Sequence, residues 1–297
     1  MANFRGFLAY NRVSRGLLLG GICLAGVLTG CGSQVYEDRL KLTRAYYDYV
    51  DRLNRNLGPQ YTNFGVTLRV PRQFQEVPLP PRKPAAGGEA SNVSSAEDLD
   101  PRLPEHIPFN LPGLVAVWST AGGSTSRGGS SEQSYLYLIS NYEYWMTYKT
   151  SKEKGDPLKI DELLITALSL GLRIPIDPHA RGSSTDRINK WYGEQVPDPV
   201  DEQFVARKEF TAITLVPPAE SELSNREFLL YLYQNGDMRI GLIYDIPRNQ
   251  GGENLQERIP LSLQTIDLSP DKPRGGGSGA ATGRPDPAAP RPGATAF

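Results

Sequence analysis

The sequence predicts an α+β domain: a mainly antiparallel sheet with one buried helix and an N-terminal amphipathic helix packed on it. Two observations lead there. Short alternating apolar runs outnumber helical ones along the chain, and neighbouring runs can be joined without crossover helices.

Composition sets the class. The chain has 297 residues, 39% hydrophobic and 22% charged, with 30 glycines and 25 prolines. These values describe an ordinary domain diluted by Gly/Pro-rich segments, and they exclude a collagen, a coiled coil or a polytopic membrane protein. A formal net charge of −1 gives no electrostatic reason to expect a nucleic-acid partner. With two cysteines and two histidines, neither a metal site nor a cofactor is expected.

Residues 1–30 carry Arg5, Arg12 and Arg15 and no acidic side chain. An apolar run from Leu17 to Val27 follows, too short for the roughly 20 residues that cross a bilayer as a helix but right for a secretory leader. It ends in Leu28-Thr29-Gly30-Cys31, which resembles the lipobox of bacterial lipoproteins. The resemblance implies cleavage between Gly30 and Cys31, a diacylglyceryl group on the Cys31 sulfur and acylation of the new amino group. Two or three acyl chains hold a protein to a membrane where one does so only marginally. Residues 31–35 then form the anchor and a short tether. Cys23 lies in the removed leader, so Cys31 is the mature chain's single cysteine and no intramolecular disulfide can form.

The domain spans 36–269. Its first element is a helix from Tyr36 to Leu57, with Tyr36, Leu40, Tyr46, Tyr47, Val50, Leu53 and Leu57 on one broad face. Gly58-Pro59 stops it. The tyrosine-rich stripe is expected to pack on the protein's own sheet; a partner or membrane-interface role is the alternative. Phe64 to Val70 alternates as a strand and ends at Pro71. Residues 78–112, proline-rich and without periodicity, read as a disordered insertion. Strands follow at Leu114 to Trp118 and Ser134 to Ser140, with a flexible loop from Ala121 to Ser131 between them. Tyr142 to Tyr148 can continue the second strand as a hairpin partner.

Asp156-Pro157 opens the main core helix, because Asp caps free amides and Pro suits the first turn. Leu158, Ile160, Leu163, Leu164, Ile165, Leu168 and Leu170 cover most of its circumference, which predicts burial between layers. Residues 173–203 read as mostly irregular. Strands are then expected at Phe210 to Val216, Phe228 to Tyr233, Met238 to Ile246 and Leu261 to Leu268. Asn235-Gly236 marks a hairpin, since both residues tolerate positive φ. From 270 to 297 the chain is a Gly/Pro/Ala-rich tail, read as disordered. The phrase Gly65-Val-Thr-Leu-Arg-Val-Pro71-Arg-Gln-Phe74, with the terminal hairpin, resembles the Mog1/PsbP-type α/β/α sandwich. That resemblance implies a fold and transfers no functional residues.

Candidate chemistry is sparse. His179 with Ser183 or Ser184 and Asp186 supplies the residue types of a hydrolase, but in one polar loop without a nucleophile elbow. His106 falls inside the proline-rich insertion. Ser151-Lys-Glu-Lys154 lacks the companion elements of penicillin-recognising enzymes, and the Gly122 to Gly129 stretch lacks the Lys-Ser/Thr of a phosphate loop. No catalytic residue is assigned. Tyr142, Tyr144, Trp145 and Tyr148 form the candidate binding surface, suited to a peptide or a sugar. The expected role is a non-enzymatic, lipid-anchored envelope protein that binds another envelope protein. Small-molecule or glycan binding is the alternative, and an envelope hydrolase the third. Gly32, where inner-membrane retention in enteric bacteria uses Asp, points to the outer membrane.

Overall fold

The computed structural model describes residues 34–80, 99–120, 133–148, 156–183, 185–248 and 255–273. The leader with Gly30 and Cys31, most of the proline-rich insertion, the 121–132 loop, the Ser151–Lys154 motif, Ser184 and the tail from 274 lie outside them.

Ten strands form two sheets in which every named strand pair is antiparallel. The elements in order are helix α1 (34–56), β1 (Leu57–Asn63), β2 (Val66–Pro71), β3 (Phe74–Glu76), β4 (Leu114–Thr120), β5 (Tyr135–Ser140) and α2 (Tyr142–Tyr148). Then come α3 (Ile160–Leu172), β6 (Trp191–Val196), β7 (Lys208–Leu215), β8 (Arg226–Asn235), β9 (Met238–Pro247), α4 (Leu255–Gln264) and β10 (Asp267–Leu268). The large sheet runs β3-β4-β5-β9-β8-β7-β6, and the small one β1-β2-β10. The fold is α+β, mainly sheet, as the alternating runs imply.

Both faces of the large sheet are apolar, so both are covered. On one face Leu136, Leu138, Phe210, Leu242 and Tyr244 meet Leu68 and Val70 of β2 and Leu255, Ile259 and Leu263 of α4. On the other, Tyr137, Ile213, Leu230 and Ile243 meet Ile160, Leu164, Leu168 and Leu172 of α3. Helix α3 sits close because Gly241 has no Cβ; one built there would lie 2.9 Å from Leu164 Cδ2.

Several expectations are corrected. Helix α3 buries a single face, with Leu163 and Leu170 exposed and Leu158 exposed in the 3₁₀ turn before it, because it lies on the outside of the sheet rather than between layers. Its start is as expected: Asp156 Oδ1 accepts from Leu158 N at 2.9 Å, ahead of the 3₁₀ turn Pro157–Lys159. Tyr142–Tyr148 is helix, not strand: Ser140 Oγ accepts from Tyr142 N and starts the turn. The Leu261–Leu268 strand is instead α4 followed by the two-residue β10. Leu255, Ile259 and Leu263 recur every four residues and bury one helical face. Residues 99–112 are not a solvated insertion, since Ile107 and Leu111 are buried against α3 and the sheet. The irregular 173–203 stretch contains β6, whose Trp191 and Tyr192 bury on opposite faces. Helix α1 does end just ahead of Gly58-Pro59, as expected, and the chain passes straight into β1, an edge strand where a proline is tolerated.

The β8–β9 hairpin closes at Asn235↔Met238 around Gly236, at φ 57°. Its tip is tied to β10 and the chain just after it: Asn235 Nδ2 donates to Leu268 O at 2.8 Å, and Asp237 N to Pro270 O at 3.1 Å. Residues 270–273 therefore have defined places, three of the four beyond the contact at Pro270, and belong to the domain rather than to the tail.

The single-faced burial of α3 is directly testable. Leu164→Ala is expected to cost about 2–5 kcal/mol in urea unfolding. Leu170→Ala, 74% exposed, should stay within about 0.5 kcal/mol of wild type.

Candidate functional site

Helix α1 docks by its C-terminal third alone. Tyr49, Leu53 and Leu57 are buried against Val50, Phe204, Val205 and Leu261. Tyr49 stacks on Phe204 at 5.3 Å, and its hydroxyl donates to Gln264 Oε1 at 3.5 Å. Burial, with the Asp201 charge second, pushes the Tyr49 phenol upward. Arg52 pairs with Asp201, which is itself buried. Upstream the picture changes: between residues 34 and 48 every residue but Ala45 is exposed. The stripe expected to pack on the sheet is therefore mostly uncovered, with Tyr36 63%, Leu40 50% and Tyr47 66% exposed. The reason is reach. Phe204 touches Tyr46 edge-on at 5.7 Å, and among the described residues no ring contact, hydrogen bond or ion pair joins α1 to the domain ahead of Tyr46.

The aromatic cluster on α2 is largely a brace. Trp145 Nε1 donates to Asp237 O at 3.1 Å, and Tyr142 meets Phe64 edge-to-face. Tyr144 packs on the α3-side core, where burial pushes its phenol upward. Tyr142, Tyr144 and Trp145 are thus structural, and Tyr148 with Met146 presents the exposed part of the predicted surface. The buried Asn141 explains the placement of α2. Its Nδ2 donates to Asp237 O at 2.9 Å and Pro157 O at 3.3 Å, and its Oδ1 accepts from Arg239 N at 3.0 Å.

Of the candidates in the His179 loop, Ser184 lies outside the described residues and the others engage separate partners, Ser183 Oγ meeting Thr185 Oγ1 at 3.0 Å. His179 N donates to Asp177 Oδ1, while the Asp186 carboxylate is engaged by Lys190. Ser183 and Asp186 face each other through an isolated backbone bridge. Among the described residues no hydrogen bond joins the His179 ring to either of them, and no group of three His, Cys, Asp or Glu could hold a metal ion.

The other histidine is the one with a built environment. His106 Nε2 lies 2.7 Å from Asp245 Oδ2, and the Asp245 side chain is fully buried. Arg226 Nε donates to Asp245 Oδ1, and Tyr137 OH donates to Oδ2 at 3.3 Å. Arg226 also donates to Gln133 O at 2.7 Å. Burial, and next the Asp245 charge, drives the Tyr137 phenol well up, so it stays a neutral donor. A carboxylate behind an imidazole is how many general bases are oriented. Here the adjoining depression, about 270 Å³, is lined among the described residues by Tyr135, Glu222, Leu223, Asn225 and Arg226, of which Tyr135 alone bears a hydroxyl. The cluster clips the 99–112 segment onto the sheet.

A larger cleft of about 680 Å³ lies between the β1–β2 hairpin and β3–β4, with Tyr61 edge-on to Trp118 at 5.1 Å. Burial and Glu76 push the Tyr61 phenol up to about 12.

Asp245→Asn is expected to destabilise by about 3–5 kcal/mol in urea, because Arg226 is left buried without its counter-charge. His106→Ala should cost less, about 1–2 kcal/mol, and open residues 99–112 to limited proteolysis before the rest of the domain. Neither a protein-family model nor a curated protein sequence matches this chain.

Proposed function

We propose that the protein is a lipid-anchored, non-enzymatic envelope protein whose α+β domain is held beside a bilayer and binds another envelope protein. The observation that carries the reading is the spacing at the N-terminus. Leu28-Thr29-Gly30-Cys31 stands three residues ahead of Gln34, the first described residue of a helix that projects from the domain. Acyl chains on Cys31 anchor the chain, and Gly32 behind the cysteine favours the outer membrane. Among the described residues no helix is long and apolar enough to cross a membrane, so attachment in this reading rests on the lipid.

Membrane partition and intact mass test the anchor. The wild-type chain should fractionate with membranes and carry the mass of a processed, acylated form beginning at Cys31. Cys31→Ser should lack the acyl mass and keep residues 1–30; a wild-type chain that carries no acyl mass, or that still begins ahead of Cys31, overturns the reading. In-cell crosslinking of the lipidated protein should trap a reproducible protein adduct, and recovery of the monomer alone counts against partner binding.

A further inference from the structure

The exposed half of α1 carries two apolar lines, not one. At about 100° per residue, Val35, Leu42 and Tyr46 continue the line of Tyr49 and Leu53 that docks on the domain. Tyr36, Leu40 and Tyr47 form a second line about a third of the way round the helix, pointing away from Phe204 and Leu261. These three are exposed, and Tyr36 and Tyr47 are the two most exposed aromatics among the described residues. Asp38 stands opposite this second line, and Glu37, Lys41, Asp48 and Arg55 lie a quarter to a third of a turn from it.

We infer that the Tyr36–Leu40–Tyr47 line lies in the interface of the bilayer that holds Cys31, so that α1 runs along the membrane surface and the domain rests beside it. This rests on the lipid-anchor reading. Three chain steps separate Cys31 from Gln34, which limits the start of α1 to about 11 Å from the Cys31 Cα. Tyr47 lies eleven residues beyond Tyr36, about 16 Å along the axis, so only a helix lying flat brings all three side chains to one depth. Tyrosine is the residue type that settles at the headgroup level, apolar ring inward and hydroxyl in water. The domain leaves this face clear, because its contacts use the other line. Between 34 and 48 Arg39, Lys41 and Arg44 balance Glu37, Asp38 and Asp48, so apolar burial rather than attraction to anionic lipid drives the contact.

The test uses the full lipidated protein in phosphatidylcholine vesicles. Acylation blocks Cys31, so a cysteine introduced by Leu40→Cys, Tyr47→Cys or Asp38→Cys takes an environment-sensitive fluorophore alone. In floated vesicles the label at Leu40 and at Tyr47 should be quenched several-fold more by lipid-borne nitroxide than the label at Asp38, unchanged by added salt. Equal quenching at all three positions overturns the inference. So does quenching at Leu40 without Tyr47, which means an upright helix. Protection of Leu40 from a water-soluble quencher without lipid quenching assigns the line to a second copy of the chain and also overturns it. A protein that fails to float refutes the anchor itself, separately from the helix orientation.

Discussion

The architecture depends on a strand that has no solvent face. Of the ten residues of β9, nine are buried and only Arg239 is partly open. A strand in that position demands covers on both sides, and the chain supplies them from distant stretches: β2 and α4 on one face, α3 and residues 99–112 on the other. Asp245 sits in this strand. Its charge is tolerated because β8 contributes Arg226, β5 contributes Tyr137 and the 99–112 segment contributes His106. A buried pair of this kind adds little net stability over an apolar substitute. It does fix register: a slip of one residue would turn Asp245 to the face of Tyr244 and Ile246, away from all three partners.

How far the sequence reveals this depends on how local each signal is. The β8–β9 hairpin was legible because Asn235-Gly236 and the flanking alternation are short-range features. So was the opening of the 3₁₀ turn before α3, where Asp156 and Pro157 act on their own neighbours. Tyr142–Tyr148 was not, since its aromatics suit either state and Asn141 decides through bonds to Pro157, Asp237 and Arg239. Leu261 and Leu263 read as strand only when Leu255 and Ile259, which complete a helical face, are left out of the window. His106 carried no signal at all: it stands between prolines, and its partner lies 139 positions away.

The aromatic cluster follows the same logic. Tyrosines and a tryptophan close together in sequence signal a binding surface only if they stay exposed. On α2 three of them are consumed in joining the small sheet, the hairpin tip and the α3 side of the core. On α1 the aromatics stay outside, because the element that bears them outruns the surface it docks on.

That overhang has an energetic consequence. A helical segment of about 15 residues is marginal in water on its own, because nucleation is costly and each added bond returns little. The 34–48 stretch has balanced charge and a single ion pair among its described residues, Lys41 with Asp38, which is exposed and worth little. Its docked third holds the register, yet most of the exposed half's apolar area stays in water unless another surface takes it. An acylated cysteine three residues upstream would bring a bilayer to the place where that surface is missing, and the line facing away from the domain is the one it could reach.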